Sequence, residues 1–563
     1  MKRIITIMAI SLAPLFAASA QNDVDFATRL GGNHYYGTAR TLGMGNAVTA
    51  VGGDIGSIGI NPAGSAVFNY GQVEFSPGMS ISKSATRFTL PSVGFSLCFN
   101  TGRISGLRNV TFSVVNNVSN NYLEYFAGEN WNNVTSFFGN MAAAAQGISP
   151  VEMGSNYAYD NPNLDWAMIS SYRAYMLGTV PDADRSYIGG NELLAKDEEG
   201  HAYHYVPGEL RQRSQVKRSG TKNDMVLNLG FNVNDKLYFG VNLGIPIIRY
   251  QYNEVYSESA LDPEQFPISF KKSDGSEFLA NFSSAQYSYA YSSTTVGVYG
   301  KAGVLWRPLD FMRIGAAVQT PVAYGISEGY SNAVTSVFLS SKEGDVRGNA
   351  SSPSGSYDYN FSGPWRFNAG LAFTLGTWGL ISADYEMAAF GRTRYRERST
   401  FSNDDYFATS NEALGLFLGN SHAMRLGAEV RPLPGFSIRA GYTLTGTPER
   451  IWTDNEGRLV DVRAWYADLD AFKSGMRTLN TSRNAGKYDW SVSFGLGWAS
   501  RGSFFIDGAV RYNAFPTYSY YPYLYGDYVA VDKDNNPIPD ATSPRMSVNR
   551  TLWDVVVTLG WRF

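Results

Sequence analysis

The sequence predicts an all-β protein: a transmembrane antiparallel β-barrel of about 14 strands, with a glycine-rich N-terminal segment packed inside it. Three observations carry this expectation. Two-residue alternation of apolar and polar side chains recurs up to the last residue. The connections between alternating segments are long and short by turns. Aromatic residues make up 14% of the chain and charged residues only 17%, a balance that suits aromatic girdles at two membrane interfaces. No long apolar run follows the first 16 residues, which excludes a helical membrane protein.

In chain order, Lys2 and Arg3 open a basic start and Ile4 to Phe16 an apolar run. Ala18-Ser19-Ala20 supplies an A-x-A cleavage site. This is the pattern of a signal peptide over 1–20, with Gln21 as the mature N-terminus. The apolar run is shorter than the roughly 20 residues of a spanning helix.

Ala39 to Phe68 follows, rich in glycine and alanine and free of lysine. Glycine permits close backbone approach. Pro62 biases Asn61 towards an extended backbone, and Asn61 can bond its own backbone to set a turn. Asn61, Pro62, Ala63 and Gly64 are therefore the candidate hatch and gating residues. Residues 21–70 form the expected internal segment.

Residues 71–563 form the expected barrel. Trp553, Val555, Val557, Leu559, Trp561 and Phe563 share one face of the last segment, with Asp554, Thr558, Gly560 and Arg562 on the other. Trp490 to Trp498, Phe436 to Leu444, Met424 to Val430, Trp365 to Phe373 and Met225 to Ile245 alternate likewise. The inward glycines and arginines fit a packed or wet lumen. Strands are expected near 71–82, 92–100, 109–122, 223–233, 237–256, 286–307, 311–324, 355–374, 378–396, 420–431, 436–446, 487–499, 502–515 and 550–563. From the third strand on, short turns alternate with long loops, as in barrels with short periplasmic turns and long outer loops. The largest loop, 123–222, is expected to carry helices at Thr135 to Gln146 and Leu164 to Met176.

The motif Ala39-Arg40-x-Leu42-Gly43-Met44-Gly45-x-Ala47, the acidic Asp54 and Asn61-Pro62-Ala63-Gly64 together resemble the N-terminal hatch of the FadL/TodX family of outer-membrane transport proteins. The resemblance is specific in this stretch and architectural in the barrel. It implies a 14-stranded barrel in the bacterial outer membrane with its hatch in the lumen. It also implies passive uptake of hydrophobic small molecules, such as long-chain fatty acids or aromatic compounds. A structural or secretion-associated barrel that binds a protein or surface partner is the alternative, since one fold serves several functions.

No catalytic, metal or cofactor site is expected. Gly43-Met44-Gly45 lacks a third glycine at 48 and follows no strand. His201 and His204 read as solvated loop histidines. The net charge of −3 gives no sign of nucleic-acid binding. The inward arginines Arg366, Arg425, Arg439, Arg511 and Arg562 have two readings. They pair with lumen acids such as Glu429, Asp507 and Asp554 to hold hatch to wall, or they meet an acidic ligand head group. Trp561 and Phe563 are the expected assembly signal for the barrel assembly machinery. The tyrosine-rich Pro516 to Tyr528 reads as an outer binding surface for an apolar ligand or lipopolysaccharide, or as a girdle edge. Outer-membrane lipid is the remaining expected partner.

Overall fold

The computed structural model describes residues 17–83, 85–180, 183–196, 200, 202–398, 406–450, 452–454, 476–477, 488–523 and 544–563. The basic and apolar parts of the signal segment and His201 lie outside them.

Among the described residues, fourteen antiparallel strands close into a barrel. They are β1 (Gln72–Ser82), β2 (Thr86–Asn100), β3 (Leu107–Asn121), β4 (Leu210–Val233) and β5 (Leu237–Ala260). Then come β6 (Glu277–Leu309), β7 (Met312–Gln319, resuming at Ala323–Leu339), β8 (Gly355–Ser362, resuming at Trp365–Thr374) and β9 (Gly379–Ala389, resuming at Arg394–Glu397). The last five are β10 (Asn420–Leu433), β11 (Phe436–Gly446), β12 (Tyr488–Ala499), β13 (Phe504–Ala514) and β14 (Thr551–Arg562). Closure pairs Gln72 with Arg562 and Ile81 with Trp553. Beyond the ladder, Gly71 and Phe563 exchange backbone hydrogen bonds of 3.0 and 2.9 Å. Every strand expected from the sequence is present.

The short turns suit their residues. Asn234 and Asp235 both adopt positive φ, 58° and 55°, a conformation in which Asn and Asp are enriched. The lipid-facing assignment also holds. Phe494, Leu496, Trp498, Trp553 and Leu559 are exposed on the outer wall, while Ser491, Ser493, Asp554 and Thr558 are buried inside. A belt of exposed apolar side chains around a closed barrel is the surface of a bacterial outer-membrane protein.

Several boundaries differ from expectation: β2 begins at Thr86 rather than 92, β6 at Glu277 rather than 286, and β7 runs to Leu339 rather than 324, so the loop expected at 325–354 is largely strand. On β5 the outward residues Phe239, Val241, Leu243, Ile245 and Ile247 are apolar, and from Arg249 they turn polar. The strand nevertheless continues to Ala260. The same happens on β4, which starts at Leu210 rather than near 223. The wall rises well above the belt, and the loop expected at 123–222 shrinks accordingly to 122–209. Alternation between water and a polar interior carries no hydrophobic signal, so the sequence pattern faded where the pairing did not.

That loop carries α-helices at Phe137–Ala144 and Trp166–Arg173, inside the two expected spans. Glu258 of β5 anchors it. This buried carboxylate accepts hydrogen bonds from Ser136 Oγ, Phe137 N, Asn191 Nδ2 and Gln212 Nε2, all at 2.7–2.8 Å.

The N-terminal segment occupies the lumen. It begins with α1 (Ala17–Gly31), continues through α2 (Ala39–Gly43) and α3 (Ile55–Ile58), and ends in a 3-10 turn at Pro62–Val67. These short helices are held by their caps. Thr38 caps α2, Asp54 caps α3 through Gly56 N at 2.8 Å, and Thr38 Oγ1 donates to Asp54 at 2.7 Å. A cap of this kind contributes about 1 kcal/mol.

Candidate functional site: the hatch seat and the chamber above it

The lower hatch sits on a ring of buried ion pairs. Arg366 donates to Glu386 and to the backbone oxygen of Gly31. Arg425 reaches the same Glu386 at 2.8 Å. Arg439 bridges Glu429 at 2.8 Å and Asp507 at 2.6 Å. Arg40, from the hatch motif itself, meets Glu429 at 3.0 Å and donates to Gly53 O at 3.1 Å. Arg511 pairs with Asp554 at 3.0 Å and donates to the backbone oxygens of His34 and Tyr35. The inward arginines other than Arg562 pair with acids of the wall, and Arg366 and Arg511 also donate to hatch backbone oxygens. Arg562 stands apart, over the rings of Tyr70 and Phe505.

Neutral contacts complete the seat. Asp384 accepts from Thr49 N at 2.7 Å and Ser382 Oγ donates to Ala47 O at 2.6 Å. Asp384 and Glu386 were not singled out from the sequence. Their signal was there: two acids two residues apart share the inward face of a strand whose other face is apolar.

Asn61 sets the turn as expected. Its side-chain oxygen accepts from Ala63 N at 3.1 Å, and its amide donates to Thr49 O at 2.7 Å and to Val304 O at 3.1 Å. The wall is glycine where this turn touches it. A Cβ on Gly303 would lie 2.0 Å from Asn61 Oδ1, and one on Gly240 2.2 Å from the Pro62 backbone. The two surfaces therefore meet backbone to backbone. Ala63 is fully buried, and Gly64 N donates to Asn61 O at 2.9 Å.

A small polar cleft opens beside the seat, lined by Asn33, His34, Arg425, Asp489, Arg511 and Asn513. Among the described residues Arg425 Nη1 and Asn46 Oδ1 have no hydrogen-bond partner. Burial, reinforced by the guanidinium groups of Arg550 and Arg511, pushes His34 down to about 3, so it is neutral.

Above the seat the lumen becomes apolar. Val24, Phe26, Ala27 and Leu30 of α1 pack into a cluster with Tyr250, Tyr324, Tyr359, Phe361, Phe390 and Tyr395. Ring centroids lie 4.9 Å apart for Phe361 and Tyr395, and 5.6 Å for Phe26 and Tyr250. Two acids enter this chamber, and neither makes an ion pair among the described residues. Asp23 accepts from Ser410 Oγ at 2.5 Å, and Glu328 accepts from Tyr291 and Tyr359 at 2.8 and 2.9 Å. Burial pushes the Asp23 carboxyl up to about 7, against the Ser410 hydrogen bond and with help from Glu328.

The wall is creased at the chamber floor. β7 breaks at Thr320-Pro321-Val322, β8 at Gly363-Pro364 and β9 at Phe390 to Thr393. Proline offers no N–H to a ladder. The breaks are level, because Gln319 pairs with Arg366 below them and Ala323 with Ser362 above. Val322, Phe361 and Phe390 fill the crease from inside. The C-terminal end of α1 presses on it: a Cβ on Gly31 would lie 2.6 Å from the Phe390 ring.

The tyrosine-rich outer segment corrects an expectation. Tyr521 and Tyr523 are buried, and Tyr518 turns inward to Glu124 at 3.1 Å. Its described part is loop core rather than an open binding surface, and residues from 524 lie outside the described set. Trp561 and Phe563 are exposed at the barrel seam. His422 Nδ1 shares a 2.6 Å hydrogen bond with Tyr385 on the outer wall, and His204 lies on an outer hairpin. Among the described residues no three metal-ligating side chains converge.

No protein-family model matches the chain, and no curated protein matches it. Solved structures do. A FadL homologue of Pseudomonas aeruginosa aligns over 94% of this chain and 100% of its own, at 11% identity and a TM-score of 0.44. The toluene transporter TbuX of Ralstonia pickettii aligns over 94% and 99%, at 12% identity and 0.42. The toluene transporter TodX of Pseudomonas putida aligns over 95% and 100%, at 10% identity and 0.41. The 14-stranded barrel around a hatch, which the hatch motif implied, is the architecture the chain itself displays.

Proposed function

We propose that the protein is an outer-membrane channel for passive uptake of hydrophobic small molecules. The observation that supports it best is the aromatic chamber, which runs from the outer loops down to the crease in the wall. An apolar solute enters it by replacing the α1 side chains that fill it. Concave apolar sites with a few polar groups suit such ligands. The fastened hatch below blocks the straight route to the periplasm. The solute leaves through the crease when α1 and Gly31 withdraw from Phe390. Asn61, Pro62, Ala63 and Gly64 act as the fixed turn of the gate, and Arg366, Arg425 and Arg439 as hatch-to-wall contacts. No step needs an energy source or a bond-making residue, so the reading is of a channel and not an enzyme. Trp561 and Phe563 serve recognition by the barrel assembly machinery.

The test is flux of a long-chain fatty acid and of toluene into vesicles carrying the barrel. A Phe361→Arg variant, which charges the chamber, is expected to lose both fluxes at normal barrel abundance. Unchanged flux overturns the route.

A second reading is a scaffold for a protein partner. It is favoured by the separate core of the outer loop, built from Ala142, Met153, Leu164, Met168, Ile169 and Tyr187, and by the exposed Val151 and Tyr157 on it. A stoichiometric partner retained by wild type and lost from Val151→Asp, with no solute flux, establishes that reading instead.

A further inference from the structure

The upper lumen holds its carboxylates in a repeated arrangement. Glu254 of β5 accepts from Tyr252 Oη at 2.8 Å and from Tyr520, and it makes no ion pair among the described residues. Glu328 of β7 accepts from Tyr291 and Tyr359 through one oxygen, and its other oxygen has no partner among the described residues. The register sets the two acids one above the other. Glu254 lies opposite Tyr289 of β6, and Glu328 opposite Ser293, which is about 13 Å deeper along the strand.

Aromatic faces stand at both levels. The ring centroid of Tyr289 lies 6.1 Å from that of Tyr252, and that of Tyr291 6.2 Å from that of Tyr250. Tyr357, opposite Glu328, stacks on Tyr359 at 5.7 Å. Tyr287, Tyr289, Tyr291, Tyr330 and Tyr357 face inward yet are only half-buried, so their rings border open lumen.

The charge that reaches these rings is negative. Burial, then Asp165 and Glu254, push the Tyr287 phenol up, and burial and Glu328 do the same at Tyr330. Asp23 of α1 joins Glu328 at the lower level. The cations nearby are already held. Arg29 and Arg218 close a square with Asp25 and Glu124, through contacts of 2.7, 3.3, 3.5 and 2.7 Å. Lys222, at the foot of the chamber, donates to Leu30 O and Asn33 Oδ1, both at 2.9 Å. Tyr324, 2% exposed beside it, keeps a hydroxyl with no partner among the described residues. Ring faces attract an organic cation, and a carboxylate free of its own cation completes the contact. An anionic head group meets repulsion at both levels.

We propose that the chamber selects solutes with a positive charge on an apolar or aromatic body, such as quaternary and tertiary ammonium compounds, over those that carry a carboxylate or sulfonate. Glu254 and Glu328 are its two successive stations. This selectivity rests on the chamber being the solute route, and it names the class of solute.

The test uses the full barrel in vesicles, with benzyltrimethylammonium, benzenesulfonate and toluene as probes. Wild type is expected to pass the ammonium about ten-fold faster than the sulfonate. The double variant Glu254→Gln, Glu328→Gln, which keeps an acceptor for each tyrosine, is expected to lose that preference. The double variant Glu264→Gln, Glu277→Gln removes the same charge from exposed outer positions, and it is expected to keep both the preference and the toluene flux. All three proteins should show the heat-dependent gel shift of a closed barrel. A preference that survives in the first variant, or falls equally in the second, overturns the selectivity. Tetramethylammonium that competes no better than sodium overturns the role of the rings. Titration of benzyltrimethylammonium into the detergent-purified barrel keeps the two possible failures apart. Binding without flux of any probe overturns the route and upholds the site. Toluene flux without binding overturns the site and upholds the route.

Discussion

The two halves of the lumen differ in what surrounds them: a ring of wall ion pairs below, and a cluster of aromatic rings above. Beneath the lower hatch the wall residues Arg366, Arg425, Arg439 and Arg511 pair with wall carboxylates, and of the hatch residues Arg40 joins this ring through Glu429. The upper helix α1 packs its apolar side chains against aromatic rings and is also tied by charge, Arg29 to Glu124 at 3.3 Å and Asp25 to Arg218 at 3.5 Å. Buried ion pairs demand geometry, and removing one partner strands the other. Apolar contacts are non-directional and can be replaced by another apolar body. Arg40, Thr49 and Asn61 fix the lower region to the wall, while α1 combines two ion pairs with an apolar face.

The largest test of the contrast is Glu386→Ala. It strands two arginines at once, since Arg366 and Arg425 share this carboxylate. A loss of about 3–5 kcal/mol is expected, read as a lower urea midpoint for release of the hatch. Glu386→Gln should recover part of it, because both oxygen positions keep a polar atom. A loss below 1 kcal/mol would show that the seat is not held by charge.

Phe361→Ala tests the other half. Truncating this buried ring costs about 3 kcal/mol in an ordinary core. Here a smaller loss is expected, with faster flux of bulky apolar solutes, if a ligand or detergent chain fills the space. A full core penalty with unchanged flux would make the chamber ordinary packing.

The hatch turn comes next. Asn61→Ala removes a cap to Ala63 N and two bonds, to Thr49 O and Val304 O. About 1–2 kcal/mol of hatch stability is expected to go. Small polar solutes should leak at normal barrel abundance, as measured by liposome swelling. A tight barrel would leave Asn61 to Gly64 as a folding turn only.

The two halves were not equally legible in the sequence. The barrel was, because lipid on one side and lumen on the other impose strict alternation, as at Trp490 to Trp498. The hatch seat was half legible: the arginines stood out among apolar neighbours, but their partners Asp384 and Glu386 lay within a strand read only for its lipid face. The chamber was not legible at all. Its rings come from α1, β5, β7, β8 and β9 together with Phe407, and no local pattern announces a cluster assembled over such distances. The strands above the belt escaped for a related reason. Where both faces of β4 are polar, as from Arg211 to Thr221, periodicity no longer tells strand from loop.

The last expected effect concerns how α1 is seated. Asp23 lies where α1 enters the chamber, against Ser410 and near Glu328. Docked, its carboxyl keeps its proton up to about pH 7, whereas a solvated carboxyl loses it near 3.8. Between those values the docked state binds more protons than the released one. Linkage then makes docking fully favoured below about pH 4 and progressively weaker as pH rises to 7, with no further change above. A protease site placed in the segment before Asp23 reports release directly. Cleavage is expected to rise between pH 4 and 7 in wild type. Asp23→Asn, which cannot ionise, should stay protected across that range. A flat profile in wild type would mean that Asp23 is solvated, and that α1 is not seated by the chamber as described.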